Sequence, residues 1–75
     1  MKEKLLGILA ELRPDVEFEG ETELITAGIL DSFDIVTLVY ELNEAFSIGI
    51  SVDELVPDNF NSVEAMIALV EDKLK

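Results

Sequence analysis

The sequence predicts an all-α fold, a small four-helix bundle in which three helices are longer and one is short, with a long loop between the first and the second. Apolar residues recur at three- and four-residue spacing in three separate stretches, the mark of amphipathic helices. Glycine, proline, aspartate and asparagine cluster between those stretches as turn chemistry. The one alternating stretch, Val16 to Glu23, has no second strand in the chain to pair with, and an isolated strand pair is marginal in water. With 75 residues the chain has room for one core, since a domain this small buries only about 60% of the surface its unfolded form exposes. A single domain over residues 1–75 is expected.

The first helix is read from Leu5, Ile8, Leu9 and Leu12, with Lys2, Lys4 and Glu11 on other faces, and it ends before Pro14. From Asp15 to Asp31 the chain reads as a loop that Leu24, Ile25, Ile29 and Leu30 pin to the core, with Gly28 allowing a backbone turn just before the second helix. Asp31 is the expected N-cap, and Asp34 follows three residues later as a capping-box partner. The second helix is expected to bury Ile35, Leu38, Val39, Leu42 and Phe46 and to turn Asp34, Thr37, Glu41 and Glu44 toward solvent. Val36 and Tyr40 fall off the buried face. They are either edge residues of the core or an apolar ridge, flanked by acids, that a partner protein can grip. Gly49 is the expected left-handed residue at the helix end. Asp53 to Pro57 reads as one short helical turn, and Pro57 to Asn61 as a turn that carries Phe60 inward. Asn61 or Ser62 caps the last helix. Its inner stripe is Val63, Met66, Ile67, Val70 and Leu74, while Lys73 and Lys75 complement its C-terminal dipole.

Composition excludes several kinds of chemistry. The chain has no cysteine and no histidine, so it lacks a thiol of its own, the usual base for a nucleophilic serine and the commonest zinc ligand. It reads as a non-enzyme, with no catalytic residue and no metal site. Asp53, Glu54, Asp58 and Asn59 are oxygen donors, but their spacing does not match a helix-loop-helix calcium loop and its turn glycine is missing. Met1 to Leu12 is interrupted by charge too soon for a signal peptide or a membrane span, so a cytoplasmic protein is expected. Seventeen acidic residues against five basic ones give a net charge of −12, and the basic ones are confined to Lys2, Lys4, Arg13, Lys73 and Lys75. Such a surface disfavours nucleic acid and anionic membrane and suits a partner with a basic patch, with plain solubility as the other reading of so much acid.

Ser32, in Gly28-Ile-Leu-Asp-Ser-Phe-Asp34, stands at the start of the second helix after the long loop. Its ordinary explanation is capping, since Ser and Asp are both favoured there. The other explanation is a covalent attachment point, because the hydroxyl is exposed and the helix N-terminus favours an added phosphate. Asp31 and Asp34 oppose the phosphate with like charge. Nothing near Ser32 in sequence activates it, so a separate enzyme must perform the attachment.

Gly28-Ile-Leu-Asp-Ser-Phe-Asp-Ile-Val36 resembles the phosphopantetheine attachment motif of acyl carrier proteins, whose core is Asp-Ser followed by a large apolar residue. The resemblance extends to the acidic second helix, the Phe46-Ser-Ile-Gly-Ile50 turn and the Phe60-Asn-Ser-Val63 start of the last helix. It implies a bundle of acyl-carrier type. It also implies a 4'-phosphopantetheine arm on Ser32, donated from coenzyme A by a magnesium-using phosphopantetheinyl transferase. The arm would carry acyl or aminoacyl groups as thioesters for partner enzymes of fatty acid, polyketide or related biosynthesis. Those activating and transferring enzymes would present basic patches to a docking face of Asp31, Asp34, Val36, Tyr40, Glu41 and Glu44 on a monomeric carrier. Phe33 stands where leucine or methionine is usual and is expected to pack as they do. Leu30-Asp-Ser-Phe33 and Pro57-Asp-Asn-Phe60 resemble stand-alone carriers, D-alanine carriers included, and Ile29-Leu30-Asp31 departs from the peptidyl carriers of nonribosomal synthesis. The alternative, from a different class, is an acidic interaction module that uses the Val36 and Tyr40 ridge and never bears a prosthetic group.

Overall fold

Helix α1 spans Lys2–Leu12, α2 Ser32–Phe46, α3 the four residues Pro57–Phe60 and α4 Val63–Leu74, with a 3-10 turn at Val52–Glu54 ahead of α3. The computed structural model describes residues 1–75 and contains no strand. The alternating stretch is irregular, and its Phe18 is buried in the core rather than laid out on a sheet face. α1 packs against α2 and α4, and α3 against α4. Leu5 and Leu9 of α1, Ile35, Leu38 and Leu42 of α2, and Val63, Met66, Leu69 and Val70 of α4 meet in one cluster, which Phe60 closes from α3. Phe18, Leu24 and Leu30 enter the same cluster from the long connection, which is thereby part of the core. No polar or charged residue is buried.

Two expectations are corrected. In α4 the inner position belongs to Leu69, while Leu74 is exposed in the final turn, past the end of the core. The left-handed residue after α2 is Ser47 (φ 54°, ψ 49°) and not Gly49. Asn43 is the cause: its carbonyl accepts from the Ser47 and Ile48 amides and its side-chain oxygen from Ile50 (2.9 Å), turning the chain two residues before the glycine. Lys73 stands in the last turn of α4 as expected, and it has a second partner as well. Its Nζ lies 2.6 Å from Glu54 Oε1 and ties α4 to the 3-10 turn.

The choice between Asn61 and Ser62 as cap is resolved by what each side chain holds. Ser62 Oγ accepts from the Ala65 amide (3.0 Å), so Ser62 is the N-cap of α4. Asn61 Oδ1 accepts from the amides of Ile25 (2.9 Å) and Thr26 (3.0 Å), and the Asn61 carbonyl accepts from Leu24 (2.9 Å). One residue thus holds the loop against the junction of α3 and α4. Asn61→Ala leaves two loop amides without their acceptor and is expected to cost about 1–3 kcal/mol, read as a lowered urea midpoint at unchanged slope.

The Glu54 pair makes stability depend on pH. The Lys73 ammonium, with the Ser51 amide, holds the Glu54 carboxyl down to about 2 from its ordinary 4.5. A depressed carboxyl contributes stability that is present above the unfolded value and is lost as pH falls from there toward the folded one. Between pH 4.5 and 2 the melting temperature of Glu54→Gln is therefore expected to fall less steeply than that of the unsubstituted protein. Parallel curves would show that the pair contributes nothing.

Candidate functional site

The start of α2 is built by two aspartates. Asp31, in extended conformation, accepts the Asp34 amide on Oδ1 (2.9 Å), and Asp34 Oδ2 accepts the Asp31 amide (3.3 Å), closing the expected capping box. Gly28, at φ 76°, makes the turn that brings the chain into this box. Ser32 is the first helical residue and is exposed. Since Asp31 and Asp34 do the capping, the Ser32 hydroxyl has no such duty, which removes the ordinary explanation for a serine here.

Beside Ser32 opens an apolar cleft of about 470 Å3. It is lined by Ile25 and Gly28 of the loop, Ile35 of α2, and Leu55, Val56 and Phe60 from the segment around α3, with Ser32 and Asp31 among the lining residues. A pantetheine arm attached at Ser32 would find exposed helix-terminal amides for its phosphate and an apolar surface for its chain, so the residues present fit that group. The cleft was not legible in sequence, because its walls come from three segments far apart in the chain.

The other sequence-predicted residues divide by exposure. Val36 and Tyr40 are each 63% exposed, which removes the reading of them as core edge. Phe33 is 79% exposed, so the expectation that it packs is corrected: at the first turn of α2 its direction leads away from the core. Phe33, Val36 and Tyr40 together form one apolar strip along α2 at helical spacing, with Glu41 and Glu44 also exposed on the helix. Asp34 is less open than expected, its side chain only 14% exposed. Arg13 covers it: Nη1 donates to Asp34 Oδ2 (3.1 Å) and to the Ile29 carbonyl (3.2 Å), while Nε reaches Asp15 (3.4 Å). The hydrogen bonds to Asp15 and then Asp34 push the guanidinium pKa further up, so its charge is permanent. Sequence reading missed Arg13, although its being the only basic residue between Lys4 and Lys73 was a signal. Among the acidic residues near α3, Glu54 faces Lys73 and the Ser51 amide, while Asp53 and Asp58 are exposed.

Comparison with known proteins agrees with this geometry. The profile of the phosphopantetheine attachment site family matches residues 3–70. A D-alanyl carrier protein of Streptococcus suis (strain 98HAH33) is 35% identical over 69 residues, covering 91% of this chain and 87% of its own. One from Lactococcus lactis subsp. cremoris (strain MG1363) is 31% identical over 75 residues, covering 97% and 95%. One from Streptococcus pyogenes serotype M5 (strain Manfredo) is 34% identical over 58 residues, covering 77% and 73%. A match over nearly the whole bundle, on a fold that leaves a helix-terminal serine free beside an apolar cleft, means that this chain belongs to the phosphopantetheine attachment site family, as a carrier protein with a 4'-phosphopantetheine prosthetic group.

Proposed function

We propose that Ser32 Oγ bears the arm and that the load is a D-alanyl group, which makes this chain a non-catalytic carrier passed between enzymes. The observation that carries the assignment of Ser32 is its free, exposed hydroxyl at the first position of a helix whose cap is already complete. In the attachment the Ser32 Oγ–phosphorus bond forms, the phosphoanhydride bond of coenzyme A breaks, adenosine 3',5'-bisphosphate leaves and the hydroxyl proton passes to the transferase. The chain has no histidine, and the Asp31 and Asp34 carboxylates beside Ser32 are engaged in the capping box, so the base is assigned to the partner. Once attached, the arm supplies a thiol on which a carboxylic acid is held as a thioester.

Partner enzymes dock on α2. Asp31, Glu41 and Glu44 offer charge to a basic patch, and Val36 and Tyr40, joined by Phe33, offer apolar contact. Asp34 stands at the edge of that face with its charge already met by Arg13. The partners are a phosphopantetheinyl transferase, an activating enzyme and an acceptor enzyme. The carrier works as a monomer in the cytoplasm, without nucleic acid. No helix of the structure is long and apolar enough to cross a membrane.

The D-alanyl load is supported by what the relatives carry in their names. A second reading, an aliphatic acyl load of fatty acid or polyketide synthesis, is favoured by the apolar cleft beside Ser32. Holo protein incubated with ATP, D-alanine and the D-alanine-activating enzyme of a relative is expected to gain one alanyl residue by intact mass. Exclusive loading by a fatty-acyl-activating enzyme would favour the second reading.

A further inference from the structure

We propose that Arg13 is a positioning residue for the modification of Ser32, setting both the shape and the charge of the turn on which the hydroxyl stands; this rests on Ser32 being the attachment point. Arg13 closes the end of α1, yet its guanidinium acts at the start of α2, 21 residues away. Nη1 holds the Ile29 carbonyl and Asp34 Oδ2, the same oxygen that accepts the Asp31 amide. The backbone around Ser32 is therefore held at Ile29, at Asp31 and, through the Asp31 carboxylate, at Asp34. Ser32 lies inside a closed ring of contacts to which Arg13, just past the end of α1, is the one contributor from outside the long loop and α2.

Charge points the same way. The phosphodiester adds negative charge between two carboxylates on a chain that already carries −12. Asp34, largely removed from water, would oppose it strongly if unpaired, because a sheltered charge is poorly screened. Arg13 offsets that charge at 3.1 Å. Its other partner, Asp15, is 71% exposed at 3.4 Å and is screened by solvent. No other cation serves this turn: Lys4 donates to the Ala45 carbonyl at the far end of α2, and Lys73 pairs with Glu54.

The test measures the rate at which full-length apo protein takes up phosphopantetheine from coenzyme A with a broad-specificity transferase, alongside hydrogen exchange at the Asp31 and Asp34 amides. Arg13→Met is expected to lower kcat/KM about five- to tenfold, and Arg13→Lys to restore much of it by returning the charge. Arg13→Met combined with Asp34→Asn is expected to recover to within about twofold of Asp34→Asn alone, because the uncompensated carboxylate is gone. A residue needed only for folding would leave that pair of substitutions as slow as Arg13→Met or slower. Wild-type rates in a folded Arg13→Met protein overturn the proposal, as does failure of the pair to recover. If the unsubstituted protein gains no mass at all, the Ser32 assignment fails first. Exchange at the two amides then decides whether Arg13 sets the turn: faster in Arg13→Met and restored in Arg13→Lys supports it, and unchanged exchange overturns it.

Discussion

Ser32→Ala is expected to give a folded protein that takes up no phosphopantetheine under conditions in which the unsubstituted chain is fully converted, as read by intact mass. The substitution removes the oxygen proposed to form the phosphodiester and little else. Ser32 is exposed and outside the capping box, and alanine is a good helix former at such a position. Stability should therefore change by less than about 0.5 kcal/mol, so a loss of modification cannot be attributed to unfolding. Asp31→Ala provides the contrast. It keeps the hydroxyl but removes the acceptor of the Asp34 amide, at a cost of about 1 kcal/mol. Continued mass gain in Ser32→Ala would move the attachment to another of the chain's hydroxyls and overturn the assignment.

The largest loss of stability is expected at Phe60. Its side chain is fully buried, it is the only buried residue of α3, and it both fills the core and forms a wall of the cleft. Phe60→Ala removes that volume from a cluster made entirely of apolar side chains, at a cost of about 3–5 kcal/mol. A chain of 75 residues has a total stability of about 4–11 kcal/mol, so the variant is expected to be partly unfolded at 37 °C, with a much lower urea midpoint. Phe33→Ala deletes a ring of the same size that is 79% exposed and is expected to change stability by less than about 0.5 kcal/mol. Equal effects at the two positions would contradict the placement of both rings.

These two phenylalanines show where sequence reading stops. Both belong to aromatic-bearing runs at the start of a helix or turn, and each was expected to pack. Only one does, because Phe60 is set on a short helix that leans on α4, whereas Phe33 starts a long helix on its outer side. Val36 and Tyr40 were left between two readings for the same reason: periodicity names the buried face of a helix but not how far the neighbouring helices reach around it.

What the sequence determined by itself is local. The three amphipathic periodicities, the capping box of Asp31 and Asp34, the turn at Gly28 and the serine at the head of α2 each depend on residues within a turn or two of one another. Their physics is that of backbone hydrogen bonds and helix pitch. Contacts between distant segments follow from packing alone: Arg13 to Asp34, Asn61 to Ile25 and Thr26, Lys73 to Glu54, and the lining of the cleft. These contacts exist because burying Leu5, Leu38, Phe60 and Met66 in one cluster fixes where the helices lie, and the polar side chains then find whatever partners that packing brings within reach.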